Sequence, residues 1–132
     1  AFQAELSREG LDCAHFATVS DFMPHAHQFS GVFCFSDFLV LELYDKARQL
    51  NLRIPEDLSV IGYDDMHFAS CLCPRLTTVR QLKKEIGIKA AELLLARLET
   101  PTSECPPEKS VLPVSLIERD SVLELTPVNC QT

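Results

Sequence analysis

Short continuous apolar runs alternate along the chain with stretches in which apolar residues recur every three or four positions. Gly31-Val32-Phe33-Cys34-Phe35 and Leu58-Ser59-Val60-Ile61-Gly62-Tyr63 are of the first kind, the pattern of strands covered on both faces of a parallel sheet. Between them Val40, Leu43, Tyr44, Ala47 and Leu50 fall on one face at helical spacing, which predicts a helix from Asp37 to Leu50. Ser36-Asp37 supplies capping chemistry at its start, with Asp37 the expected cap, and Asn51 is a plausible stop. Phe38 and Leu41 project from the other side of this helix, among Asp45 and Arg48, where the sheet cannot bury them, so they suggest a partner surface.

The remaining elements follow from the same rules. Phe2 and Leu6 predict a short helix over Ala1 to Glu9, stopped by Gly10. Leu11 to Thr18 is moderately strand-like, and Val19 to Ser30, with Pro24 and no period, reads as a loop. Leu76 to Arg80 is a brief strand. Lys83 to Leu98 is a helix apolar over most of its girth, with Ile86, Ala90, Leu93 and Leu94 on one side and Ile88, Ala91, Leu95 and Leu98 on another. Pro101, Pro106 and Pro107 mark a loop, and Val111 to Glu118 is a last strand, bent or placed at an edge by Pro113, before a frayed tail. Strands alternating with helices predict an α/β domain with a mainly parallel sheet and helices on both faces.

A length of 132 residues fits one domain, and 46% hydrophobic with 23% charged residues excludes a disordered chain. The net charge of −7 has the wrong sign for neutralising phosphates, so this piece by itself is not expected to hold nucleic acid. The longest apolar stretch, Gly31 to Leu43, is interrupted by Ser36, Asp37 and Glu42 and falls short of the roughly 20 apolar residues of a membrane span. Six cysteines, at 13, 34, 71, 73, 105 and 130, read as reduced structural thiols of a cytoplasmic protein, with Cys34 and Cys13 behaving as small buried hydrophobes. Cys71-Leu72-Cys73 lacks the two-residue gap of a zinc or thioredoxin-type pair. The chain opens at Ala1 without an initiator Met or a leader pattern, as expected of part of a longer protein.

In an open parallel sheet, ligands bind beyond the carboxyl ends of the strands. Ser36 and Asp37 follow the first buried run and Asp64 and Asp65 the second, so hydroxyl and carboxylate groups converge on one edge. Asp64 is the leading ligand contact, because a carboxylate accepts the paired hydrogen bonds of sugar hydroxyls or base N–H groups; a turn-capping role for Asp64 or Asp65 is the alternative. Neither a nucleophile elbow nor a glycine-rich phosphate loop occurs. His25-x-His27 lacks a third ligand at useful spacing and reads as surface. No catalytic constellation emerges, and neither a cofactor nor a metal is expected. An enzyme using Asp64 or a cysteine is a rival without a motif.

Four stretches carry a resemblance: Leu52 to Asp65 (LRIPEDLSVIGYDD), Pro74 to Gln81 (PRLTTVRQ), Ala90 to Glu99 (AAELLLARLE) and Val111 to Val122 (VLPVSLIERDSV). In this order and spacing they resemble the C-terminal half of a lactose-repressor (LacI/GalR) family transcriptional regulator. GVFCFSD at Gly31 to Asp37 is similar to that family's strand and ligand-contacting turn, and Phe2 to Gly10 to the helix opening its second lobe. The resemblance covers nearly the whole chain. It implies residues 1–132 of a periplasmic-binding-protein-like effector domain, mostly one lobe, in which 76–98 corresponds to a segment of the otherwise missing N-terminal lobe. It implies a small-molecule effector, a sugar or nucleobase, contacted by Asp64, Ser36, Phe22 and Gln81. It also implies a homodimer through Phe38, Leu41, Cys71, Leu72 and Cys73, with operator DNA read only by a helix-turn-helix absent from this chain.

The departures from the family pattern are specific. Ser36 replaces a common Asn and is shorter in reach. Only Met23 to Ser30 stands where the family has a helix after the position of Phe22. With most of the first lobe missing, the apolar helix at Lys83 to Leu98 has no native cover, so association or swapping through it is expected. A solute-binding protein of similar fold, for transport or sensing, is the alternative, disfavoured by six unpaired-looking cysteines.

Overall fold

The computed structural model of the protein describes residues 2–99 and 108–124. Its elements are α1 (Phe2–Arg8), α2 (Val19–Phe22), β1 (Gly31–Phe33), α3 (Asp37–Gln49), β2 (Ser59–Tyr63), β3 (Thr77–Gln81), α4 (Lys83–Glu99) and β4 (Val114–Ile117), with 3-10 turns at Met23–Gln28 and His67–Ser70. The strands form one sheet in the order β1-β2-β3-β4. β1, β2 and β3 are parallel, and β4 runs antiparallel to β3 at the edge. The expected α/β class with a mainly parallel sheet is therefore the observed one.

Period-2 alternation sends Val32 and Cys34 of the first run, Val60 of β2 and Leu76 before β3 to one face, where α3 covers them. α3 contributes Val40, Leu43 and Ala47, each 1% exposed or less, and side chains of this size stabilise by roughly 1.5–3 kcal/mol each for Val and Leu when fully buried. Phe22, Met23 and Ala26 close the same core from the side.

Several expectations need correction. Val19–Gln28 is helical rather than a loop, because the Thr18 hydroxyl accepts from the Asp21 amide as an N-cap and Pro24 sits in the first positions of the 3-10 turn, where its missing N–H is harmless. Residues 11–16 carry no strand pairing. Among the described residues helices do not cover both faces: opposite α3, Phe33, Val114 and Leu116 remain 37%, 55% and 51% exposed. Leu50 is 58% exposed, since it lies past the last turn as the C-cap rather than on the buried stripe. Cys34 is buried as expected, but Cys13 is exposed, lying in an unpaired segment. β4 starts only after Pro113, which lacks the N–H a ladder requires. The proline loop at 101–107, the C-terminal tail, Cys105 and Cys130 lie outside the described residues.

Asp37 does not cap α3. Ser36 does, its Oγ accepting from the Phe38 amide at 3.4 Å. The Asp37 side chain is instead fully buried, accepting from the Thr78 hydroxyl at 2.7 Å and from the Met66 amide at 2.8 Å. It lies directly under Gly62, where an added Cβ would collide with the Asp37 carboxylate and with Leu76. α4 is the reverse case, with no buried residue, Leu94, Leu95 and Leu98 all more than half exposed, and open space around Gly87.

These two glycines give opposite predictions. Gly62→Ala is expected to destabilise by about 1–3 kcal/mol through overpacking, whereas Gly87→Ala should stabilise by about 0.5–1 kcal/mol by raising helix propensity at an unhindered position. Urea midpoints of the two variants test this; equal midpoints for Gly62→Ala and the parent would remove the close approach.

Candidate ligand-binding site

β1 and β2 both end at the edge where α3 begins, so the residues after each strand meet. Asp64 lies at the centre. The Gln81 side-chain amide donates to one of its carboxylate oxygens at 2.7 Å, and the Ser36 hydroxyl lies 3.5 Å from the other. Three of the four expected ligand contacts thus come together from three different segments. Both partners of Asp64 are neutral donors, so its negative charge is not matched by a cation in these bonds, and a carboxylate can accept further O–H or N–H groups. The edge is a wall with an acceptor at its middle.

Phe22 is the fourth expected contact, and it is elsewhere. It is 5% exposed, its ring packed against Phe16 and Phe29 at centroid separations of 5.4 and 5.9 Å. With only the short 3-10 turn after it, Phe22 is drawn into the core and offers no face to a ligand. His25 stacks on the same Phe16 ring at 5.7 Å.

The backbone at the centre is unusual. Asp64 and Asp65 both have positive φ, 111° and 46°. For residues other than glycine this conformation costs of order 1–3 kcal/mol each, although Asp enters it more readily than most. The Asp64 amide donates to the Val79 carbonyl at 2.9 Å. Asp65 bonds to two guanidinium groups, Arg80 Nε at 2.6 Å and Arg119 at 2.7 Å, in a setting where both Asp65 and Arg119 are mostly shielded from solvent. Arg119 also donates to the Leu76 carbonyl at 2.7 Å. These long-range partners of Asp65 were not legible in the sequence, since residues 15 and 54 positions apart carry no local pattern.

The expected interface residues fall in two places that touch. Phe38 and Leu41 are 58% and 41% exposed on α3, and the Phe38 ring packs on Phe68 at 5.3 Å. Phe68 belongs to the 3-10 turn that leads into Cys71, Leu72 and Cys73, of which both cysteines are exposed and Leu72 packs partly on the core. A separate surface depression lined by Tyr44, Arg48, Arg53 and Pro74 lies at the other end of α3 and contains none of Ser36, Asp64 and Gln81. Burial, and secondarily the nearby Asp37, pushes the Cys34 thiol up to about 11, so it stays protonated and unreactive at neutral pH. Among the described residues no helix is long and apolar enough to cross a membrane.

A parallel α/β lobe with polar side chains gathered beyond its strand ends is the architecture of a ligand-binding domain. The chain belongs to the periplasmic binding protein-like domain family, whose model matches residues 1–122, and its relatives place it with regulators of the LacI/GalR type. It is 42% identical over 102 residues to the HTH-type transcriptional repressor PurR of Vibrio cholerae, and 40% identical over 96 residues to the ribose operon repressor of Haemophilus influenzae. These matches take in 74% and 73% of this chain and 28% of each relative, so the chain spans less than a third of their length. Among solved structures it superposes on a LacI family transcriptional regulator of Enterococcus faecalis with bound ribose, at TM-score 0.76, 28% identity, 95% of this chain and 49% of that one. The CelR–cellobiose complex gives TM-score 0.73 at 27% identity, covering 91% of this chain and 40% of that one.

The Asp65 cluster makes a pH prediction. Burial alone pushes its carboxyl up, but hydrogen bonds and charge from Arg119 and Arg80 outweigh burial and hold it below the usual carboxylate value. A folded value below the unfolded one means that the pairing stabilises the fold above the unfolded range, about pH 3.9, and is lost as pH falls through the folded value. The parent should therefore lose stability between pH 5 and pH 3 more steeply than Asp65→Asn, read as urea midpoints across about that span; parallel profiles would contradict the pairing.

Proposed function

We propose that this chain is the effector-binding and dimerising part of a LacI-type transcriptional regulator, and that Asp64, Ser36 and Gln81 form one wall of its effector site. The observation that carries this is the convergence of those three side chains at the carboxyl ends of β1, β2 and β3. A donor-rich neutral molecule suits an unmatched acceptor carboxylate, and the solved relatives named above hold ribose and cellobiose. The effector class is therefore a sugar, with a nucleobase offering similar N–H donors as the second choice. The regulator reading is favoured over a transport protein because relatives at 40–42% identity are repressors. For the same reason the chain is read as a cytoplasmic binding protein rather than an enzyme.

The second lobe of such a site, and the helix-turn-helix that reads operator DNA, belong to sequence other than residues 1–132. Of the segment 76–98 expected in the other lobe, residues 76–81 instead lie in this one, as β3 and the residue before it, between β2 and β4 with Leu76, Thr77 and Thr78 buried. Residues 83–98 are read as the part that enters the other lobe, which accounts for an α4 without a buried side. Phe38, Leu41, Cys71, Leu72 and Cys73 are read as the dimer surface, because they are joined through the Phe38–Phe68 contact and all but the partly packed Leu72 are exposed.

Two experiments test this reading. Ribose, cellobiose and a panel of neutral sugars and nucleobases, screened by thermal shift on the longest available form of the protein, should yield one that raises Tm, and Asp64→Ala should lose that rise by at least about tenfold in affinity, near 1.4 kcal/mol. An unchanged shift in Asp64→Ala removes this wall from the site. Light scattering should give a dimer that the pair Phe38→Glu and Leu41→Glu converts to monomer. Persistence of the dimer would move the association to α4, where Leu94→Glu and Leu98→Glu would then dissolve it.

A further inference from the structure

Two adjacent aspartates meet two adjacent residues of β3: Asp64 takes Gln81, and Asp65 takes Arg80. Arg80 and Gln81 are neighbours in a strand and so point to opposite faces, which means that the two carboxylates are held apart on different sides of the strand end. Both aspartates hold positive φ, a conformation that persists only when the surroundings over-determine it. Of the turn's backbone bonds, the Asp64 amide to Val79 at 2.9 Å and the Met66 amide to Asp37 at 2.8 Å are firm, but the Asp65 amide reaches the Thr78 hydroxyl only at 3.4 Å. At Asp65 the side chain supplies the constraint that the backbone lacks.

We propose that Asp65, gripped by Arg80 and Arg119, is a positioning residue that fixes the turn so that Asp64 is presented to Ser36, Gln81 and the ligand. This rests on the reading of Asp64 as a ligand contact. Arg119 anchors the grip to the far end of the sheet: its guanidinium donates to the Leu76 carbonyl at 2.7 Å and its backbone amide to the Thr77 hydroxyl at 2.9 Å. The planar fork of the guanidinium bonds the carbonyl from one nitrogen and the carboxylate from another at a fixed spacing, whereas a lysine would have to bring both acceptors to a single nitrogen. The clamp also separates the charges at the turn. Asp65 is matched by two cations, leaving Asp64 with neutral donors and a free capacity to accept.

The test uses Asp65→Asn, which keeps the shape and removes the charge, and Arg80→Gln, at a residue whose side chain is half exposed and tolerant of change. Asp45→Asn, at an exposed helical ion pair, is the control. NMR of the parent and variants follows hydrogen exchange at the Asp64 amide and the chemical shifts of the Gln81 side-chain amide. Both test variants should speed Asp64 exchange roughly tenfold relative to the amides of Val40 and Leu43 in α3, and move the Gln81 amide towards the position of a free carboxamide. The control should do neither. Unchanged exchange and shifts in both variants overturn the proposal, and should Asp65→Asn fail to fold, Arg80→Gln decides it. Ribose titration separates the two readings. Ribose binding by the parent that survives unaltered in Asp65→Asn overturns the clamp. A parent that binds no panel member while its variants lose the Asp64 signature supports the clamp and removes the ligand reading.

Discussion

The Asp37 carboxylate is the point on which the site depends. It is buried at the first residue of α3 and accepts from β3 through Thr78 and from the segment after β2 through Met66. A carboxylate has acceptors enough for both, and removing either donor's partner inside the protein would leave an unpaired polar group at a penalty of about 1–3 kcal/mol. Three elements that are 29 and 41 residues apart in sequence are thereby fixed to one side chain. Gly62 is the complementary constraint, since a side chain in β2 would occupy the space of the carboxylate. Ser36 is free to cap α3 and to face Asp64 because Asp37 is engaged inward.

From that point the strained turn follows. β2 ends at Tyr63, Met66 is held by Asp37, and the two residues between must reverse the chain within a short span, which sets their positive φ. A turn built this way carries side chains to the edge of the sheet rather than into it. Aspartate is suited to both demands, tolerating the left-handed region and bringing a carboxylate to the surface.

How much of this was legible in the sequence varies with the range of the interaction. β2, α3 and α4 were readable almost to the residue because continuous apolar runs and helical spacing are local signals. The 3-10 segment at Met23–Gln28 was missed because its determinants, a Thr cap and a Pro near the start, leave no period to detect. At the site, Asp64 and Ser36 could be chosen from the rule for strand ends, and Gln81 from the family resemblance. Phe22 was misplaced because the resemblance assumes a longer helix after it than the chain provides. The roles of Asp37, Arg80 and Arg119 depend on contacts spanning 15 to 54 residues, for which a single sequence holds no local signature.

The position of Gln81 links the wall to the rest of a two-lobed reading. It is the last residue of β3, two residues before α4 begins, and it bonds to the central carboxylate. On the proposed reading a ligand that competes for Asp64 must change the bond to Gln81, and the next element along is a helix with nothing buried on any side. A ligand shifts a conformational equilibrium only through contacts that differ between its states. On that reading the Asp64–Gln81 bond is such a contact, at the place proposed for the passage from one lobe to the other. The Asp65–Arg80 pair, one residue back, holds the opposite face of the same strand end, so on that reading one carboxylate secures the strand while the other is left to the ligand. That division of labour requires two adjacent carboxylates of unlike surroundings, which a single aspartate followed by a neutral residue would not supply.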